Sequence, residues 1–189
     1  MRRLSLLLIV FAAAAGVADA QTPAIQVRAA FGASNYLHSD IEYVAPTVLF
    51  AVRAGTRRFA IEPEVALAWH SESETFPGAG FTGPVVVERS RQFRSVGVNA
   101  IARGRGRISP FFGGGVGVYA ERRRTKTDGH EQTLTFGPRA GTQIVGGIDG
   151  RVAPRLMVFG QGRYEVRSFS DVGGGSVFQA FAGVAVALR

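Results

Sequence analysis

Two carboxylates stand on either side of a proline in Glu62-Pro63-Glu64, and Arg163-Tyr164-Glu165 repeats the spacing with opposite charges. Paired carboxylates can act as general acid and base, and opposed charges can neutralise one another where water is scarce. In an extended strand, residues two apart share a face, so each pair points to one side. The catalytic reading needs a substrate path to that side. The structural reading needs opposite charges facing it.

The other chemical candidates are weaker. His38, His70 and His130 are the only histidines. His70, Glu72 and Glu74 would alternate onto one side of a continuing strand, as a metal site requires. A lipid-modifying hydrolase needs a His and a Ser on one strand face beside a carboxylate. His38-Ser39 and His70-Ser71 are sequence neighbours, so each pair faces opposite ways. All three histidines fall near the ends of apolar runs, where solvated loop residues are expected. Gly113-Gly114-Gly115-Val116-Gly117 lacks a complete dinucleotide fingerprint and a following helix. Glycine there suits strong curvature and close packing in a small barrel. With no cysteine, thiolate chemistry, disulfides and Cys-based metal sites are excluded. No catalytic residue, cofactor or metal is expected.

The elements that must position the charges are strands. From Leu156 to Arg167 the even positions read Leu, Val, Gly, Gly, Tyr, Val, while the odd ones end in Gln161, Arg163, Glu165 and Arg167. Period 2 means a strand. Runs of this kind occur at about 25–33, 42–53, 58–70, 85–102, 110–123, 133–148, 155–167 and 177–188. In the third, Phe59, Ile61, Pro63, Val65, Leu67 and Trp69 share one face, opposed by Glu62, Glu64 and His70. In the sixth, Leu134, Phe136, Ala140, Thr142, Ile144 and Ile148 are expected outward and Arg139 and Gln143 inward. Asp149-Gly150 and Pro154 supply turn signals before the seventh. The fourth run carries Glu88, Ser90, Gln92 and Arg94 on the same face as Val96 and Val98, so its polar half should project above a bilayer.

The connections alternate in length. Those after runs two, four and six are short; those after one, three, five and seven are longer and polar, notably 71–83 and 124–132. Short turns on one side and longer loops on the other, an even strand number, and charges opposite an apolar face predict an inside-out, eight-stranded antiparallel up-and-down transmembrane β-barrel. Such a lumen is just wide enough for side chains to fill it. The ionisable residues on the inward phase, Arg28, Glu62, Glu64, Arg139, Arg163 and Glu165, are therefore expected to pair into a structural plug. That closes the substrate path and removes the acid–base reading.

Met1-Arg2-Arg3, the apolar stretch Leu4 to Ala15 and Ala18-Asp19-Ala20 form a cleaved signal peptide over residues 1–20. Residues 21–189 then make one barrel domain. The formal charge is +8, and 22 residues are Lys or Arg, all but Lys126 being Arg. An exported chain does not normally meet nucleic acid. Lipid phosphates are the better anionic partner, and Arg122, Arg123, Arg124 and Lys126 at a strand tip are the candidate contacts.

These strands, the signal peptide and Ile61-Glu62-Pro63-Glu64-Val65 resemble the OmpA/OmpX-like family of small outer-membrane β-barrels, across the whole mature chain. The resemblance implies a monomer in the outer membrane with both termini in the periplasm. It also implies contact with lipid, including lipopolysaccharide, and a C-terminal strand read by the barrel-insertion machinery. A structural or surface-interaction role is expected: membrane integrity, adhesion or defence. A small-solute pore, a lipid A-modifying enzyme and a soluble periplasmic ligand-binding barrel are the alternatives. Where family members usually end in an aromatic residue, this chain has Leu188 followed by Arg189.

Overall fold

The computed structural model describes residues 24–36, 44–77, 83–127, 130–167 and 175–188. Residues 1–20, read as a signal peptide, lie outside them, as do His38, Ser39 and Arg189. Eight strands follow one another: β1 (Ala24–Tyr36), β2 (Val44–Gly55), β3 (Phe59–Phe76), β4 (Val85–Arg103), β5 (Ile108–Thr127), β6 (His130–Arg151), β7 (Leu156–Arg167) and β8 (Gly175–Leu188). Each pairs antiparallel with the next, and β1 pairs with β8 to close the barrel. Closure satisfies the backbone groups that an open sheet would leave unpaired at its edges.

The alternation sorts the side chains as the sequence predicts. Phe59, Ile61, Val65, Leu67 and Trp69 are exposed on the outer wall, while Glu62 is 0% exposed and Glu64 3%. Phe31, Phe112 and Ile144 also face outward. This is the reverse of a water-soluble barrel: apolar groups coat the outside and ions fill the inside.

The strand ends differ from the periodic runs. β3 continues to Phe76, and its ladder with β4 runs unbroken through Ser71↔Ser90 to Phe76↔Val85. β5 and β6 stay paired as far as Thr127↔His130. Of the polar segments 71–83 and 124–132, read as loops, residues 71–76, 124–127 and 130–132 thus belong to strands. Cross-strand ion pairs hold these polar extensions: Arg89–Glu74 at 3.1 Å, Lys126–Glu88 at 3.7 Å and Arg124–Glu131. Residues 56–58, 104–107 and 152–155 form the short turns at the opposite rim. Asp149-Gly150 belongs to β6, not to a turn; Asp149 is 3% exposed and points inward.

One register shift changes the face of a segment. Between Tyr119↔Arg139 and Glu121↔Phe136, β6 carries one residue more than β5. Gly137 takes φ +103 there, a conformation open to glycine. A bulge reverses the alternation beyond it. Leu134 and Phe136, expected on the lipid face, therefore share a side with Glu121 and Arg123. The Arg123 guanidinium lies 4.8 Å from the Phe136 ring centre.

Candidate functional site

Strand alternation delivers charged side chains into the lumen as two separate clusters. Toward the short turns, Arg28 of β1 meets Asp149 at 3.0 Å and Glu62 at 3.4 Å. Arg53 of β2 meets Asp149 at 2.9 Å and pairs closely with Glu62. Arg103, at the end of β4, reaches Asp149 at 3.2 Å. Arg28 lies 3.8 Å from the Phe159 ring centre and Arg53 4.3 Å from that of Phe111. The rings shield guanidinium faces while the carboxylates take their edges. Ala60, Ile101, Phe111 and Val145 form an apolar layer beside this cluster.

Farther up, Arg163 of β7 pairs with Glu64 and stands 3.2 Å from Glu165, which Arg167 reaches at 2.9 Å. Amides and hydroxyls extend the network. The Gln143 amide donates to Glu64 at 2.7 Å and to Asn99 at 2.6 Å, and the Tyr119 hydroxyl donates to Gln143 at 3.1 Å. Arg163 donates to Gln179, and Gln179 to Ser34, each at 2.6 Å. β5 makes room for this crossing by presenting glycine inward: a Cβ on Gly115 would meet the Val98 carbonyl and the Asn99 side chain. Above it, Tyr36, Ala45, Ala68, Phe93 and Val177 pack together across the lumen. Their Tyr36 and Phe93 rings are 4.3 Å apart, and Arg167 lies over Tyr36 at 5.4 Å.

Five of the six residues read as lumen partners, Arg28, Glu62, Glu64, Arg163 and Glu165, fall in these clusters. Arg139 is on the inward phase and half-buried, but Glu62 and Glu64 take Arg28, Arg53 and Arg163 as their partners instead. Arg139 sits just below the bulge, above the level of Gly141↔Arg167. Sequence reading missed Arg53, Arg103 and Asp149. Arg53 was visible as the inward neighbour of Val52, whereas Arg103 and Asp149 were masked by turn-like surroundings. Among the described residues, no group of three His, Asp or Glu side chains could hold a metal ion. His70 stands 3.6 Å from Glu72 on the inner side of the β3 extension.

The basic strand tip divides between two faces. Arg123 is on the inward phase and pairs with Glu121. Arg122, Arg124 and Lys126 face outward, with Arg124 and Lys126 already paired to Glu131 and Glu88. Beside Arg122, across the β4–β5 ladder, Arg94 also faces outward, one step above Val96. Below them the wall carries a shallow apolar groove of about 770 Å³, lined by Val96, Val98, Val118, Ala140 and Val166 among others.

No protein-family model matches the chain, and no curated protein matches it in sequence. Solved structures do. Ail, the attachment invasion locus protein of Yersinia pestis, solved in complex with the heparin analogue sucrose octasulfate, superposes with a TM-score of 0.64 at 10% identity, covering 89% of this chain and 100% of Ail. Neisserial surface protein A gives 0.59 at 15% identity, over 87% of this chain and 96% of that one. A major outer membrane protein from Thermus thermophilus gives 0.58 at 10% identity, over 89% and 100%. The fold is that of small outer-membrane β-barrels.

Proposed function

We propose that this chain is an integral outer-membrane protein that performs no catalysis and acts through its wall and its long-loop end, in membrane integrity, adhesion or defence. The single observation that carries this reading is the inversion of the barrel. Phenylalanine, valine and isoleucine cover the outer wall, and two ion clusters occupy the inside. In water such a wall would be an aggregation-prone apolar surface; in a bilayer it is the solvated face. The alternative of a soluble periplasmic ligand-binding barrel needs the apolar face inside, and the burial of Glu62, Glu64, Arg163 and Glu165 argues against it.

The lumen is read as a plug. Charged groups paired across the interior, with aromatic rings above and below, support this reading over the small-solute pore. The same crowding disfavours an enzyme working inside the barrel. A lipid A-modifying enzyme would need a Ser, a His and a carboxylate in contact on one face, and His70 of this chain faces Glu72 with Ser71 on the opposite side. By analogy with small outer-membrane barrels, the short turns and both termini are assigned to the periplasm, the extended β3–β6 wall to the cell surface, and the chain to a monomer inserted through its last strand. The outward cations give that wall an affinity for anions. Ail, with the same fold, was solved with a sulfated sugar bound. Lipopolysaccharide is the partner proposed here. Cell fractionation with heat-dependent electrophoretic mobility tests the reading: a membrane-bound band that shifts on boiling is expected, and a soluble, non-shifting protein would overturn it.

A further inference from the structure

The outer wall of β4, β5 and β6 holds two features that the plug and the fold leave unused. Arg94 and Arg122 are exposed on the outward face, and neither has an ion-pair or hydrogen-bond partner among the described residues. Their ladder neighbours offer no carboxylate: Arg94 stands between Leu67 and Ala120, and Arg122 between Gln92 and Thr135. The cations next to them, Arg124 and Lys126, are neutralised by Glu131 and Glu88. Two unpaired guanidiniums therefore sit diagonally adjacent on one face, on the side of the groove nearer the loops.

Depth makes this arrangement specific. Counting from Ala102 near the short-turn rim, Arg94 is roughly 20 Å up the wall, for a rise of ~3.4 Å per residue and a tilt of ~40°. The apolar band of such barrels is about 25 Å tall, so Arg94 lies at its upper boundary. Trp69, exposed on the neighbouring strand opposite Gln92, marks the same level, as aromatic girdles do. An arginine here reaches phosphates rather than acyl tails. Directly below, Val96, Val118 and Val166 flank the small outward residues Ala140 and Thr142, so the wall is dented where neighbouring strands carry bulky groups such as Leu67 and Tyr164.

We infer that this wall is a binding site for one phosphorylated, multi-acylated glycolipid of the outer leaflet, its phosphate held by Arg94 and Arg122 and an acyl chain lying in the groove past Ala140. The inference rests on the outer-membrane reading and deepens it by assigning the site. A planar guanidinium suits bidentate contact to phosphate oxygens, and two of them match one headgroup better than a diffuse basic surface would.

The test uses the full mature chain folded in detergent and mixed with lipid A, with dephosphorylated lipid A or with phosphatidylglycerol, the retained lipid being counted by native mass spectrometry. Lipid A should be retained at least about 10-fold better than either of the others. The double variant Arg94→Gln/Arg122→Gln should bind about 30-fold more weakly, at roughly five-fold per cation near a charged lipid surface. Ala140→Phe, which fills the groove without entering the lumen, should also weaken retention while both arginines remain. Equal retention of dephosphorylated lipid A or phosphatidylglycerol, or unchanged binding by the double variant, would overturn the site. So would a protein dimer abolished by Ala140→Phe, which would give the groove to a second copy of the chain. Insertion of the same preparation into vesicles, read by heat-shifted mobility, separates the two readings. Insertion without lipid preference overturns the site alone, and failure to insert overturns the membrane reading beneath it.

Discussion

Glu62 and Glu64 are two residues apart on the same face of β3, yet they share no partner: Glu62 takes Arg28 and Arg53, Glu64 takes Arg163 and Gln143. The boundary between the two lumen clusters runs between these neighbours. Each cluster draws on strands from opposite sides of the barrel, so each cross-braces the wall at its own height.

Because the partners are distinct, the effects of Glu62→Gln and Glu64→Gln should add, apart from the mutual repulsion of the two carboxylates. Removing one member of a buried pair costs about 3–5 kcal/mol. Either substitution also relieves that repulsion, so the double should exceed the sum of the singles by the repulsion alone. Urea unfolding from lipid vesicles measures both single variants and the double. Non-additivity beyond this repulsion would show a single network instead of two.

Asp149 contacts Arg28, Arg53 and Arg103 at once. Asp149→Asn leaves three guanidiniums facing Glu62 alone, and should be more destabilising than Glu62→Gln, which removes one acceptor from two arginines. Restoring the carboxylate as Asp149→Glu should recover part of the loss in the same unfolding assay.

If the two clusters and the Tyr36–Phe93 layer act as the proposed plug, wild-type protein in a planar bilayer should show no large steady conductance. A stable open current would promote the pore to the leading reading. Small variants such as Arg163→Ala with Glu64→Ala should introduce brief openings.

Arginine scanning of the outer wall reads the membrane directly. Val98→Arg lies between Pro63 and Val116 in mid-wall and should destabilise the barrel by about 2–4 kcal/mol, whereas Ser73→Arg on the polar extension, opposite Glu88, should cost about 0–1 kcal/mol. Equal costs at both depths would deny the wall a bilayer.

Much of the architecture was legible because a period of two needs no tertiary information. Phe59 to Trp69 against Glu62 and Glu64 fixes inside and outside in one strand, and closure carries that choice to the rest. Three things were not legible. Strand length was hidden because polar residues such as Ser71 to Thr75 pair through backbone and cross-strand ion pairs, leaving no apolar signature. The face of Leu134 and Phe136 depended on one extra residue near Gly137, which periodicity cannot see until it has already slipped. Partner choice was the third: Asp149 beside Gly150 has the local chemistry of a turn, and only the register of β6 against β5 and β7 carries it inward to the arginines. Arg139, although on the correct phase, lies too high on its strand to reach Glu62.

The seam between β1 and β8 has a consequence for how the barrel forms. Ile25 pairs with Leu188 and Tyr36 with Val177, so the last ladder joins segments from the two ends of the described sequence. Every other ladder is a local hairpin that can zip as soon as its second strand exists. The seam alone must wait for all the others, and loop closure over such a span makes it the slowest step. Until then the chain is a curled ribbon with two unsatisfied edges and an unpaired ionic interior, prone to pairing with its own kind. A folding route that keeps both edges shielded until they meet is therefore a demand of the topology, independent of any particular side chain.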